Sequence, residues 1–153
     1  MRVSVLFVCL GNICRSPTAE AVFRHKLAES GLTGRVTVDS AGTSSWEVGN
    51  PPDSRSVEVA GKRGYSFEGQ SARQLERDDL DRFDYVIAMD RQNLDDIRQL
   101  QPNADARLLL DFAPHLPERE VPDPWYHGRF DAVLDMIEAG AEGLLQDIRS
   151  RLD

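Results

Sequence analysis

The chain has few cysteines, histidines and aromatic residues. Its 153 residues include two cysteines, three histidines and 7% aromatic residues. The two cysteines, Cys9 and Cys14, are too few for the disulfide framework of a small secreted domain. No histidine stands at a ligand spacing from them, and a zinc site usually needs four ligands. We therefore expect neither a disulfide scaffold nor a metal site.

Long apolar runs and an excess of positive charge are also missing. No run approaches the roughly 18 apolar residues of a membrane span, and the chain opens on a strand rather than on a signal peptide. The formal net charge is −8, from 18 basic and 26 acidic residues, which disfavours binding to the backbone of nucleic acid. We expect a cytoplasmic protein with neither a nucleic-acid nor a membrane partner. Because the sequence has no linker or repeat, residues 1–153 are predicted to form one domain.

The beginning of the chain carries the clearest pattern. Residues 3–8 form a short apolar run rich in β-branched side chains, which is typical of a buried strand. Ser16 followed by Pro17 indicates the start of a helix, with Ser16 as its N-cap. The loop between strand and helix, residues 9–15, directs several backbone N–H groups into one space. The sequence thus predicts an anion-binding loop, which we call the phosphate loop.

The side chains of the phosphate loop suit phosphate chemistry. Gly11 and Asn12 tolerate a positive φ, which such loops usually need. Arg15 can bind two phosphate oxygens as a fork. Cys9 lies at the end of the strand, where the N–H groups and Arg15 would stabilise its thiolate. A thiolate beneath a bound phosphate is a nucleophile directed at phosphorus.

The rest of the chain alternates strands and helices. This alternation indicates a single α/β domain of three layers, a four-stranded parallel sheet of order 2-1-3-4 with helices on both faces, as in flavodoxin. Ligands bind such sheets at the carboxyl ends of the strands where the order reverses, and Cys9 is expected there. After the first strand, strands are predicted at 35–39, 85–89 and 106–110, helices at 16–30, 53–64, 90–102 and 130–152, a helical turn at 77–80, and a long loop at 111–128.

The motif C-L-G-N-I-C-R-S-P at residues 9–17 resembles the signature of the low-molecular-weight protein tyrosine phosphatases. The resemblance continues through D-S-A-G-T at 39–43, F-D-Y-V-I-A-M-D at 83–90 and D-P-W-Y at 123–126. It therefore covers nearly the whole chain. It implies a protein-tyrosine phosphatase that hydrolyses phosphotyrosine and small aryl phosphates without a metal or a cofactor.

The resemblance also implies the catalytic roles. Cys9 would attack phosphorus to form a cysteinyl-phosphate, while Arg15 binds the phosphoryl oxygens. Asp123 would protonate the leaving oxygen and then deprotonate the water that hydrolyses the intermediate. Ser16 would donate a hydrogen bond to the Cys9 thiolate. The implied phosphate-binding residues are Leu10, Gly11, Asn12, Ile13, Cys14 and Arg15.

The family holds its loop asparagine in a left-handed conformation through nearby polar side chains. Here the resemblance pairs Asn12 with Ser40. A histidine that often assists in the family is missing before the dipeptide Ala72-Arg73, where Gln70 stands instead.

Aromatic residues in the loops point to the substrate. Trp46, Trp125 and Tyr126, together with Leu10 and Ile13, resemble the walls of a slot for a flat ring. A deep slot would admit phosphotyrosine and exclude the shorter phosphoserine and phosphothreonine. The implied partner is a tyrosine-phosphorylated protein, commonly a tyrosine autokinase if the chain is bacterial. We expect a monomer or a weak homodimer.

Three alternatives to a tyrosine phosphatase would each differ from this chain at particular residues. A protein-arginine phosphatase of the same family tends to carry a polar residue where Ile13 stands. A non-catalytic phosphopeptide-binding module would lack Cys9 or Asp123, and both are present. An arsenate reductase of this fold would need two cysteines beyond Cys9 and Cys14.

Overall fold

The strands and helices occur in the predicted order in the computed structural model, which describes residues 2–152. The strands are β1 (Val3–Cys9), β2 (Val36–Gly42), β3 (Tyr85–Ala88) and β4 (Ala106–Leu108). The helices are α1 (Arg15–Glu29), α2 (Ser54–Gly61), α3 (Asp79–Arg82), α4 (Arg91–Leu100), α5 (Pro124–His127) and α6 (Phe130–Leu152), with a 3₁₀ turn at Leu109–Phe112.

β1 is an inner strand of a parallel sheet with the order β2-β1-β3-β4. Cys9 at its end pairs with Gly42 of β2, and Val8 pairs with Ala88 of β3. The predicted α/β fold of order 2-1-3-4 is therefore confirmed. The next strand along the chain, β2, lies on one side of β1, and β3 lies on the other. The strand order therefore reverses at β1, and Cys9 lies at the point where ligands bind in folds of this type.

Helices cover both faces of the sheet. Phe7 of β1 belongs to a core that it shares with Phe23 of α1 and Ile137 of α6. Leu6, which points the other way, belongs to a second core with Ile97 of α4. A strand buried on both faces needs consecutive apolar residues, which explains the apolar residues at 5–8 of β1.

The first helix begins differently from the prediction. Cys14 occupies the N-cap position and Ser16 lies within the first turn of α1, so the prediction that Ser16 caps the helix is wrong. The Ser16 hydroxyl instead contacts the side chains of Cys9 and Asn12. Ser16 therefore stabilises the phosphate loop through its hydroxyl rather than capping the helix.

Other boundaries shift by a few residues. β2 extends three residues beyond the predicted 35–39, because β1 continues to Cys9 and offers Gly42 a partner. β4 ends at Leu108, two residues early, because the chain then enters the 3₁₀ turn. The predicted loop at 111–128 contains the short helix α5.

α6 is 23 residues long and amphipathic. Leu134 and Leu144 are buried in the core, whereas Asp131 on the opposite side is exposed. Within residues 2–152, no helix combines the length and the apolar character that crossing a lipid bilayer requires.

α6 packs very closely against the 3₁₀ turn at a glycine. A Cβ atom at Gly143 would overlap the backbone carbonyl of Phe112. A backbone group cannot move aside as the end of a flexible side chain can, so the contact requires glycine.

We predict that Gly143→Ala lowers the free energy of unfolding by about 1–3 kcal/mol, the usual cost of overpacking. Gly61→Ala is the matched control, because no atom lies within 4 Å of a Cβ at Gly61. This control should leave stability unchanged or raise it by about 0.5–1 kcal/mol. Urea unfolding of both variants measures the difference, and equal stabilities would contradict the close contact.

Candidate active site

Cys9 lies at the floor of the phosphate loop and is only 2% exposed. Its Sγ atom is 3.0 Å from Ser16 Oγ and accepts a hydrogen bond from the Ser16 backbone N–H at 3.4 Å. The hydroxyl and the backbone N–H of Ser16 are therefore both placed to donate to the sulfur. The predicted pairing of Cys9 with Ser16 is thus present in the geometry.

Asn12 sets the shape of the loop. Its φ of 58° is the only positive value among the non-glycine residues that the structure describes. The Asn12 carboxamide donates to Ser16 Oγ at 2.8 Å and to Ser40 Oγ at 3.0 Å. Ser40 in turn donates to Glu20 at 2.7 Å. The predicted contact of Asn12 with Ser40 is present, and Glu20 extends it.

The other side of the Asn12 carboxamide is held by backbone. The N–H of Arg73 donates to Asn12 Oδ1 at 3.0 Å. The Arg73 guanidinium is itself fixed by Asp79 at 2.9 and 3.1 Å and by Asp39 at 3.1 Å. Gln70, where the sequence lacks the family's histidine, donates to the Pro17 carbonyl instead. The sequence analysis assigned no replacement for the family's histidine. In the structure, the main-chain N–H of Arg73 supports the Asn12 carboxamide.

Arg15 is a buried cation held by acceptors from three segments. Its side chain is 2% exposed and donates to Asp90 at 2.6 Å and to the Val121 carbonyl at 2.9 Å. Asp123 Oδ2 lies 3.6 Å from a terminal nitrogen of Arg15. Burial alone would lower the pKa of Arg15, but the negative charges of Cys9, Asp90 and Asp123 and the Asp90 hydrogen bond raise it on balance. The guanidinium therefore stays charged.

A buried donor of Arg15 has no acceptor. The buried Nε atom makes no hydrogen bond within the described structure. A buried N–H without a partner is costly, and an oxyanion is the ligand that best satisfies a guanidinium. The site can therefore bind an oxyanion such as phosphate.

Asp90 is a site residue that the sequence analysis missed, since it was placed in a predicted helix and at the end of the motif at 83–90 but was given no role in the site. Its side chain does cap α4, accepting from the Asn93 backbone N–H at 2.8 Å. The second carboxylate oxygen binds Arg15. The available signal was its position directly after β3, at the same edge of the sheet as Cys9.

Asp123 begins a short turn above the phosphate loop. Its carboxylate caps α5 by accepting from the Trp125 N–H at 3.0 Å, and Pro124 occupies the first helical position. Its side chain is 20% exposed, so the carboxylate is accessible to water. The arrangement brings an acid or base within reach of an oxyanion held by Arg15.

A cleft of about 70 Å³ opens above Cys9. Trp46, Trp125 and Tyr126 are 76%, 51% and 68% exposed, so these rings border open space rather than the core. The structure thus brings together the residues predicted to form the slot, and adds Glu47. The cleft is lined by Cys9, Leu10, Gly11, Ile13, Cys14, Arg15, Trp46, Glu47, Asp123, Trp125 and Tyr126.

Cys14 differs sharply from Cys9 in its surroundings. Both are free thiols. Burial raises the pKa of Cys14 to about 12, and the negative charge of Asp53 adds to this effect. Cys14 is therefore a neutral thiol at physiological pH.

Over residues 2–152, no cluster of three or more histidine, cysteine or acidic side chains is arranged to hold a metal ion.

Comparison with known proteins places this chain and its fold in a family. Residues 4–152 match the family model described as low molecular weight phosphotyrosine protein phosphatase. Among curated proteins, the low molecular weight protein-tyrosine-phosphatase YfkJ of Bacillus subtilis is 46% identical over 150 residues, which are 96% of each chain. PtpA of Staphylococcus epidermidis is 40% identical over 148 residues, 95% of this chain and 94% of that one. The chain therefore belongs to the low-molecular-weight protein-tyrosine-phosphatase family of enzymes.

Solved structures agree with this assignment. The crystal structure of B. subtilis YfkJ superposes with a TM-score of 0.97 at 45% identity, covering 100% of this chain and 98% of that one. A protein tyrosine phosphatase from Entamoeba histolytica gives 0.92 at 36% identity, covering 99% of each chain.

We predict that Asn12→Ala weakens binding of inorganic phosphate more than Asn12→Gly. Both variants lose the carboxamide bonds, but only alanine pays the additional cost of about 1–2 kcal/mol for a left-handed backbone. Competitive inhibition by phosphate and urea unfolding would measure the two effects. Equal losses for both variants would show that the backbone conformation at Asn12 does not matter.

We also predict that iodoacetamide at pH 8 labels Cys9 and leaves Cys14 unmodified. The pKa of Cys14 is raised, so its thiol is neutral at every pH below that value and cannot react as a thiolate. Peptide mass spectrometry would locate the label, with phosphate as a competitor for Cys9 and urea-unfolded protein as the control in which both cysteines react. Labelling of Cys14 in the folded protein would contradict this account.

Proposed function

We propose that this chain hydrolyses phosphotyrosine in proteins, and small aryl phosphates, through a cysteinyl-phosphate on Cys9. The observation that carries the proposal is the convergence on one loop of a buried sulfur, two donors from Ser16 and a buried arginine. Arg15 Nε lacks an acceptor that a phosphoryl oxygen would supply.

In the first step the Cys9 thiolate attacks phosphorus and the bond from phosphorus to the phenolic oxygen breaks. Asp123 gives its proton to that oxygen, so that a neutral phenol leaves. Arg15 and the N–H groups of residues 10–15 stabilise the charge on the equatorial oxygens of the transition state.

In the second step water attacks the phosphorus of the intermediate. The Asp123 carboxylate now accepts a proton from that water, and the sulfur–phosphorus bond breaks. Inorganic phosphate leaves and the thiolate returns to Cys9. Donation from the Ser16 hydroxyl stabilises the departing thiolate, so it assists this step most.

The walls of the cleft favour an aromatic substrate. Trp46 and Trp125 offer flat apolar faces, and Ile13 adds an apolar side chain at the loop itself. The guanidinium group of phosphoarginine, the substrate of an arginine phosphatase, would lack a polar partner at Ile13. We therefore favour phosphotyrosine over phosphoarginine.

The wider setting is part of the same proposal. We propose that residues 1–153 act as one phosphatase domain in the cytoplasm, without a metal or cofactor, as a monomer or weak homodimer. The physiological substrate is then a tyrosine-phosphorylated protein, and a tyrosine autokinase is the partner we would test first.

We predict that the protein releases p-nitrophenol from p-nitrophenyl phosphate in the presence of EDTA, and that Cys9→Ser abolishes this activity. Asp123→Asn should lower kcat/KM for phenyl phosphate by about 10²–10⁴-fold, the usual contribution of a general acid. The loss should be smaller for p-nitrophenyl phosphate, because nitrophenolate leaves without a proton. Undiminished turnover by a folded Cys9→Ser variant would refute the mechanism.

Substrate class is tested with three matched peptides that carry phosphotyrosine, phosphoserine or phosphoarginine at the same position. We expect phosphotyrosine to be hydrolysed with the highest kcat/KM. A preference for phosphoarginine would establish the alternative activity on the same loop, since the nucleophile would be unchanged.

A further inference from the structure

Arg55, near the start of α2, lies between two aromatic rings that belong to the segment carrying Asp123. Its guanidinium carbon is 5.1 Å from the ring centroid of Trp125 and 4.8 Å from that of Phe130. Both distances are within the roughly 6 Å of a cation–π contact. Trp125 is the second residue after Asp123, and Phe130 is the first residue of α6.

The other side of Arg55 is fixed by Asp53. The Asp53 carboxylate accepts from Arg55 Nε at 3.1 Å, from a terminal nitrogen at 2.9 Å, and from the Arg55 backbone N–H at 2.8 Å. The hydrogen bond from Arg55 lowers the pKa of Asp53, so this carboxylate is ionised at neutral pH. The guanidinium is therefore held in one orientation.

Asp53 is in turn bonded to the phosphate loop. Its backbone N–H donates to the Ile13 carbonyl at 2.7 Å. A continuous series of contacts thus runs from Ile13 through Asp53 and Arg55 to the ring of Trp125. It joins the loop that binds phosphate to the turn that carries the candidate general acid.

The Asp123 turn is anchored beside α2 by Pro124, which is buried, but the residues after Pro124 are not. Trp125 and Tyr126 are more than half exposed, and α5 is only four residues long. The polar contact of Asp123 itself with the loop is the 3.6 Å approach to Arg15, which is longer than a hydrogen bond. A general acid must be held close to the leaving oxygen to be effective.

We infer that Arg55 is a positioning residue that holds the Asp123 turn in register with the phosphate loop for proton transfer to the leaving group. Arg55 does not touch the reacting atoms in this account, and it acts through Trp125. The inference rests on the proposed role of Asp123 as the general acid.

The planar guanidinium is essential to the inference. Arginine can stack on two rings while its edge binds a carboxylate, whereas the ammonium group of lysine is a point charge on a flexible stem. Arg55→Lys keeps the charge and should still lose most of the effect. Arg55→Gln removes the charge as well.

The test uses the leaving group as its readout. We expect Arg55→Gln to lower kcat/KM about 10-fold for phenyl phosphate and less than about 2-fold for p-nitrophenyl phosphate, because only the poorer leaving group needs the proton. A loss equal for both substrates would overturn the inference and indicate a general effect on folding or binding. Urea unfolding of each variant shows whether stability has changed.

Arg107→Gln is the matched control. Arg107 also lies over two rings, 4.6 Å from the centroid of Phe112 and 5.6 Å from that of Tyr85, but it is on β4 and outside the cleft. We expect its kcat/KM for both substrates to equal that of the unaltered protein. A leaving-group effect in this variant would overturn the assignment to Arg55.

A double variant separates this inference from the proposed function. If Arg55 acts through Asp123, Arg55→Gln should lower phenyl phosphate hydrolysis no further in an Asp123→Asn background. An additional 10-fold loss there would refute positioning through Asp123. If Asp123→Asn alone shows no leaving-group effect, then the general-acid assignment itself has failed, whatever Arg55 does.

Discussion

The burial of one positive charge constrains the site more than any other feature. A guanidinium that is 2% exposed must be paired, because an unpaired buried charge is very costly. Arg15 is paired by Asp90 at the end of β3, by the Val121 carbonyl and by the approach of Asp123. These groups come from segments about 75 and 106 residues away in the chain. The charge of Arg15 therefore draws the end of the sheet and the Asp123 turn together around the phosphate loop.

The loop itself is shaped by a neutral group, the carboxamide of Asn12. Its donors bind Ser16 and Ser40, and its oxygen is bound by the backbone of Arg73. The loop is thereby fixed before any ligand arrives, so binding does not bear the cost of ordering it. Ser16, which binds Asn12, also contacts Cys9 Sγ. This contact couples the conformation of the loop to the candidate nucleophile.

The sheet order and the position of Cys9 could be predicted because they follow from local patterns, the alternation of strands and helices and the motif after β1, whereas the walls of the cleft were predicted from the family resemblance. The apolar run of β1 and the motif that follows it are contiguous in the sequence. The roles of Asp90 and Arg73 could not be predicted in the same way, since they depend on which atoms of distant segments meet. Asp90 has an evident local function as a helix cap, which conceals its second bond. Arg73 acts through its backbone N–H, a group that every residue except proline possesses. Ser16 shows the reverse case, because its sequence context is typical of an N-cap while its hydroxyl contacts Cys9 and Asn12.

The central claim is that Cys9 carries the phosphoryl group between the two steps. Rapid mixing with p-nitrophenyl phosphate, followed by denaturation within the first turnover, would trap this species for peptide mass spectrometry. Asp123→Asn is suited to the experiment, because loss of the base slows hydrolysis of the intermediate. The account predicts a burst of nitrophenol equal to the enzyme concentration and a phosphate on the peptide that contains Cys9. A phosphate on another residue, or turnover with neither a burst nor a phosphorylated peptide, would contradict it.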